Sequence, residues 1–204
     1  RRTCAAVTVE EPVEFLHPHN KSLVNQREVG VDVAGFATAL RQSLRQDPDV
    51  LLLGDLRDAE TVEGALTAAE TGHLVLATLE ATDSVQAIRQ LIDRFPLERQ
   101  GAVRMQLSMV LQALLAQQLL PKGYSSGRVL ACEVLIPTSA VRNLIREEQE
   151  HRIYGMMQSG SEYGMQTMNQ ALFELYQKQL VTYNEIFSRT TDPKDLQNLV
   201  KGTT

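Results

Sequence analysis

Apolar positions in this chain fall into two kinds of run. Residues 5–9, 50–54, 74–79, 115–120 and 129–136 form short, mostly unbroken aliphatic stretches, the length and content of β-strands. Between them the spacing becomes helical. Phe36, Ala39, Leu40 and Leu44 mark a helix over 36–45, and the alanine-rich stretch 59–71 a second, stopped by Gly72. A third carries Ala87, Ile88, Leu91 and Ile92, with Asp83 or Ser84 as its cap and Pro96 beyond its end. This alternation predicts an α/β core with a parallel sheet running to about Leu135.

The longest greasy stretch, 105–120, is interrupted by Gln106, Ser108, Gln112, Gln117 and Gln118. It falls short of the roughly 20 apolar residues of a membrane span and reads as a helix running into a strand. After Pro137 the pattern changes to short amphipathic helices over 139–147, 151–158, 165–178, 183–189 and 192–200. The expected organisation is therefore an α/β domain over 1–137 and a small all-α domain over 138–204. The run 5–9 begins with almost no lead-in, so the chain reads as an excerpt of something longer.

Composition narrows the function. A net charge of −5 over 204 residues disfavours a general nucleic-acid binder, which carries a basic footprint. Cys4 and Cys132 are the only cysteines and lie far apart, so no disulfide framework or structural zinc site is expected, and a reducing cytoplasm is the natural setting. No signal-peptide pattern is present.

The chemistry-bearing residues lie at strand ends. Val50-Leu51-Leu52-Leu53 runs into Gly54 and then Asp55, and sheet proteins bind ligands beyond the carboxyl ends of parallel strands. Glu10-Glu11-Pro12-Val13-Glu14 follows the first strand, and Thr78-Leu79-Glu80 closes the third. Neighbouring strands lie about 4.8 Å apart, so carboxylates at their ends would converge on one metal–phosphate site, where positioning and charge neutralisation supply most of the catalysis. Glu14 and Asp58 read as solvated or structural. His73, between a helix-stopping glycine and a strand, has the pattern of a hydrogen-bonding residue; His17 and His19 are too weak a pair for a metal site, and His151 reads as solvated. A phosphate cradle is missing: Gly30 and Gly35 have the spacing, but Phe36 and Ala37 stand where lysine and serine or threonine are required, and Gly155 and Gly160 fail likewise. Either such a loop lies upstream of Arg1 or the polypeptide does not hydrolyse nucleotide.

Several motifs together resemble the type IV pilus retraction ATPases, members of the secretion-ATPase superfamily of hexameric RecA-like motors. Thr8-Val9-Glu10-Glu11-Pro12-Val13-Glu14-Phe15 is similar to the family's Asp box, and Leu23-Val24-Asn25-Gln26-Arg27-Glu28-Val29 to a further signature. The stretch from Leu44-Arg45 to Arg57-Asp58 resembles the Walker B region, and Ala68-Ala69-Glu70-Thr71-Gly72-His73-Leu74-Val75 the His box. Ala140-Val141-Arg142-Asn143-Leu144-Ile145-Arg146-Glu147 is similar to a helix associated with retraction, and Gly164-Met165-Gln166-Thr167-Met168 also recurs in the family. The likeness runs almost end to end, starting just downstream of the Walker A loop.

The resemblance implies a RecA-like parallel-sheet ATPase core, lacking the Walker A segment, with a helical C-terminal domain. It implies ATP and Mg²⁺ as cofactors and a homo-hexamer in the cytoplasm. Its partners would be related pilus ATPase subunits and an inner-membrane platform protein, with no nucleic acid. Glu10 and Asp55 take the catalytic positions, with Asp55 holding Mg²⁺ indirectly, and His73 takes the nucleotide-sensing one. Arg27, Arg41, Arg45 and Arg57 are candidates for charge stabilisation across a subunit interface. Arg142, Asn143 and Arg146, beside the apolar stripe of Val141, Leu144 and Ile145, are candidates for coupling to a partner. Glu11, Asp55 and Glu80 depart from the family's usual Asp, Glu and His, and the run Glu14-Phe15-Leu16-His17-Pro18-His19 resembles the accessory retraction ATPases. A weak or inactive accessory ring subunit, dependent on an active partner, is accordingly the alternative.

Overall fold

The computed structural model describes residues 3–202. Two compact units divide them, residues 3–80 with Gln90–Val110, and Ala81–Arg89 with residues 111–202.

The first unit is built on a parallel sheet of β1 (Ala5–Glu10), β2 (Leu23–Glu28), β3 (Val50–Leu53) and β4 (Leu74–Ala77), in the order β2-β1-β3-β4. Val9 aligns with both Arg27 and Leu53, and Leu53 with Ala77. Alternation along each strand sends Val7, Val9, Leu51 and Leu53 to one face, where all four are buried. Apolar residues of α1 (Phe36–Ser43) and α2 (Ala59–Glu70), among them Phe36, Ala39, Leu40, Val62, Ala65 and Leu66, are buried with them. The two helices approach closely because α2 has a glycine at the crossing: a Cβ on Gly64 would lie 2.7 Å from Leu40 Cδ2. Asp58 caps α2, accepting from the Thr61 amide at 2.8 Å. α4 (Leu97–Val110) is braced to α2 by Arg99, 2.6 Å from Glu63, and this guanidinium holds the Glu63 carboxyl below its ordinary range.

The other face of the sheet is more open than a strand buried on both sides would have it. Val50 and Leu52 are half-buried, while Leu74 and Leu76 on β4 are 51% and 48% exposed. β2 falls in a segment whose sequence reads as polar. Its Leu23-Val24-Asn25-Gln26-Arg27-Glu28 has no apolar run, and pairing with β1 makes it a strand.

The second unit corrects one expectation. β5 (Leu114–Pro121) and β6 (Arg128–Leu135) do not extend the parallel sheet; they pair antiparallel, as a two-stranded sheet of their own. Six residues separate them, enough for a reversal but not for the dozen or more of a parallel crossover. Gly127, at φ +97°, and the bond from the Lys122 amide to Gly127 O close the turn. Leu120 and Ala131 of this hairpin form a core with Met168, Ala171, Leu172, Val181, Ile186 and Leu196. These come from α7 (Met168–Gln177), α8 (Tyr183–Arg189), α9 (Pro193–Lys201) and the loop before α8. The hairpin thus belongs with the helices, and the boundary expected at 137/138 falls inside this unit. α5 (Ser139–Arg146) and α6 (Ile153–Gln158) contribute buried Val141, Ile145, Ile153 and Met157. Threonine or aspartate caps recur: Thr138 on α5, Thr167 on α7 in a reciprocal capping box with Gln170, Thr182 on α8 and Asp192 on α9. α3 (Ser84–Asp93) begins in this unit, and its Ser84 amide donates to the buried carboxylate of Glu133 at 2.7 Å.

Candidate functional site

The carboxyl rim of the parallel sheet gathers the acidic residues. Val9 opposite Leu53 is the last pair of the register; Glu10, the last residue of β1, stands beside Gly54, and Asp55 follows two residues beyond the end of β3. The strands approach tightly here: Gly54 N donates to Val9 O at 2.7 Å, and a Cβ on Gly54 would lie 3.1 Å from Glu10 Cα. On the next strand Thr78 Oγ1 donates to Gly54 O at 2.6 Å, tying the end of β4 to the same corner.

Glu10 is half-buried and anchored through one oxygen. Its Oε1 accepts from Thr8 Oγ1 at 2.6 Å and from Gln26 Nε2 at 3.1 Å, while Oε2 has no hydrogen-bond partner among the described residues. Asp55 is held differently. Its Oδ2 accepts from Arg57 Nε at 2.8 Å, and the same guanidinium reaches Glu11 at 2.7 Å and lies 5.3 Å from the Phe36 ring centroid. The hydrogen bond that Arg57 donates to Asp55, with the charges of Glu11 and Asp55, raises the Arg57 pKa above its already high ordinary value. Arg57 is thus a fixed cation between two carboxylates at the rim.

The remaining sequence candidates are dispersed. His73 precedes β4 and so stands at the amino end of the sheet, away from Glu10 and Asp55 by the length of a strand. Its Nδ1 lies 3.0 Å from Ala68 O and 3.1 Å from Thr71 Oγ1, closing the end of α2. Arg27, in register with Val9, is on the face opposite Glu10. Arg41 pairs with Glu60 and donates to Thr38 Oγ1. Arg45 lies in a 3-10 turn, Leu44–Gln46, and is exposed. Arg27 and Arg45 have no ion pair among the described residues. On α5, Arg142 is half-buried and donates to Leu111 O at 2.8 Å, while Arg146 donates to Asn143 Oδ1.

Sequence reasoning missed Gln26, Thr8 and Arg57 as partners of the acidic residues. The alternation of Thr8 and Glu10 was a readable signal for Thr8; Gln26 required knowing that β2 is a strand. No three His, Cys, Asp or Glu side chains come together to hold a metal ion among the described residues. A cleft of about 450 Å³ in the second unit, lined by Asp83, Arg89, Glu133, His151 and Tyr154 among others, contains none of the catalytic, sensing or coupling candidates. No helix among the described residues is long and apolar enough to cross a membrane.

Comparison with known proteins places the chain in a family. Residues 1–124 match the family model described as Type II/IV secretion system protein. The chain is 42% identical over 195 residues to the type IV pilus ATPase PilU of Pseudomonas aeruginosa, covering 96% of this chain and 51% of that protein. It is 45% identical over 189 residues to the type IV pilus retractation ATPase PilT of the same organism, covering 93% and 55%. The crystal structure of the pilus retraction motor PilT with bound ADP superposes with a TM-score of 0.89 at 48% identity, covering 97% of this chain and 55% of that one. The chain thus spans about half the length of the curated relatives it matches. Its parallel α/β sheet and helical C-terminal array are the fold of the PilT-like ATPases. With most of its length matched by the family model, the chain belongs to the Type II/IV secretion system protein family.

Proposed function

We propose that this chain is the distal part of a motor subunit that couples ATP hydrolysis to type IV pilus retraction. The observation that carries this reading is the position of Glu10 and Asp55 at the carboxyl ends of two adjacent parallel strands. Supporting it are relatives named as pilus retraction ATPases and a similar structure with bound ADP.

In this reading the Oε2 of Glu10, the oxygen without a protein donor, accepts the proton of the attacking water or orients it. Thr8 and Gln26 hold the carboxylate from turning. Asp55 would hold Mg²⁺ indirectly, and Arg57 restrains the Asp55 carboxylate. The donor set fits the ion: Mg²⁺ is usually bound by one or two carboxylates, phosphates and water rather than a protein cage, and the rim offers separate carboxylates with no three-ligand cluster among the described residues. When bound, Mg²⁺ would neutralise triphosphate charge. The parallel-sheet unit would serve the ATPase reaction and the unit from Leu111 onward would pass its motion on, in a homo-hexameric ring in the cytoplasm docked to an inner-membrane platform protein. His73, at the far end of the sheet, would sense nucleotide only across a subunit boundary or through α2. Arg27 and Arg45, which have no ion pair among the described residues, are better placed to act on a neighbouring subunit than Arg41, paired to Glu60.

The test is ATP turnover by the natural full-length protein and its Glu10→Gln variant. Loss of the base should lower kcat by about 100-fold or more while nucleotide still binds. Turnover that survives this substitution would overturn the catalytic assignment; binding without turnover in the wild type would point to an accessory ring subunit.

A further inference from the structure

Gln26 makes three hydrogen bonds with one side chain, and their chemistry fixes its orientation. Nε2 donates to Glu10 Oε1 at 3.1 Å and to Phe15 O at 2.9 Å, while Oε1 accepts from the His17 amide at 2.7 Å. Turning the amide over would set its oxygen against a carboxylate and a carbonyl and its NH2 against an N–H, so only one orientation satisfies all three. Parallel register places Gln26 opposite Thr8, on the face that carries Glu10. Both donors that hold Glu10 converge on Oε1, which leaves Oε2 available.

The Gln26 bonds to Phe15 and His17 fall within the loop that joins β1 to β2. Phe15 and Leu16 there are 65% and 79% exposed, so burial does little to fix this stretch. Further backbone ties come from Glu28 Oε2, accepting from the Val13 amide at 3.1 Å, and from His19 Nδ1, accepting from the Val24 amide at 3.2 Å. Gln26 is the side chain that joins this loop to the carboxylate.

We propose that Gln26 is the positioning residue for Glu10 and links its carboxylate to the loop of Phe15 and His17. The proposal rests on the reading of Glu10 as the catalytic base. Gln26 sets which oxygen of Glu10 faces the reacting water, and a displacement of the loop is passed to the carboxylate through a single amide. Misplacement of a reacting group by about 1 Å costs on the order of 100-fold in rate.

The experiment compares Gln26→Glu and Gln26→Ala with wild type and Glu10→Gln in the natural full-length protein, reading kcat and KM for ATP, the melting temperature, and hydrogen exchange at the His17 amide. Gln26→Glu keeps the shape and the acceptor for His17 but has no proton for Glu10 or Phe15 O. Its kcat should fall by about 30- to 100-fold with KM within about threefold, and the His17 amide should stay protected. Gln26→Ala should lose kcat similarly and also expose that amide, its exchange rising about tenfold or more. A merely structural role would lower the melting temperature of both variants without this split between kcat and KM. If both variants keep kcat within about threefold of wild type while Glu10→Gln is inactive, the positioning role fails and the motor reading stands. If Glu10→Gln itself retains turnover, both fail. Unchanged His17 exchange in Gln26→Ala would overturn the link to the loop.

Discussion

At the scale of single residues, Gly54 is decided by space rather than by backbone conformation. A methyl group there would meet Glu10 Cα at 3.1 Å and Val9 O at 3.2 Å, and both contacts are backbone, which yields less readily than a side chain. Gly54→Ala should therefore destabilise by about 1–3 kcal/mol in chemical denaturation, the ordinary cost of overpacking. Because the displaced atom belongs to Glu10, turnover should fall by more than the stability loss accounts for. Arg57 makes the opposite prediction. Its ion pairs to Asp55 and Glu11 are partly exposed, so Arg57→Ala should leave the melting temperature nearly unchanged. It would nonetheless leave Glu11 and Asp55 facing each other without a cation, and weakened Mg²⁺-dependent nucleotide affinity, measured by calorimetry, is the expected result. Affinity equal to wild type would show that Asp55 needs no restraint.

At the scale of elements, Glu133 joins the starts of two helices. Its carboxylate is 2% exposed and accepts from the Ser84 amide of α3 at 2.7 Å and the Met168 amide of α7 at 3.3 Å, so it satisfies two donors that helix geometry leaves open. Glu133→Gln presents an NH2 to one of them and should cost about 1–2 kcal/mol. Glu133→Ala strands both and opens a cavity, for about 2–4 kcal/mol in denaturant unfolding, with faster amide exchange at Ser84 and Met168. None of this was legible beforehand, because Glu133 sits in an apolar strand where a lone charge offers no hint of its partners. Helices were the readable elements. Tyr183–Arg189 is found at its expected bounds, and Phe36–Ser43 and Ala59–Glu70 within a residue or two, since their apolar spacing and caps are local properties. β2 was not readable, because its pairing with β1 supplies what its composition lacks. The hairpin was visible as two runs and misassigned as sheet, although a six-residue connection already forbids parallel pairing. For the site, the strand-end rule located Glu10 and Asp55, but the hydrogen bonds that orient them depend on register, which a single sequence does not display.

At the scale of the whole molecule, the proposed motor requires a surface that passes motion to a partner, and α5 separates two arginines by their surroundings. Val141, Leu144 and Ile145 are buried, which fixes the helix rotation and leaves Arg146 and Asn143 exposed and Arg142 half-buried. Arg142 donates to Leu111 O, so its removal unsettles the start of the second unit as well as any external contact. Arg146 donates to Asn143 on its own helix, a local contact whose loss leaves the packed face intact. Arg146→Ala in the natural protein is therefore the cleaner separation. It should sharply reduce pilus retraction, scored as twitching motility, while ATP turnover stays within about twofold of wild type, as expected for an exposed substitution. Arg142→Ala should reduce both, with a lower melting temperature. If Arg146→Ala instead lowers turnover and motility in equal proportion, α5 acts on the ring itself and the transmitting surface must be sought elsewhere; if it affects neither, Arg146 is not part of the transmitting surface.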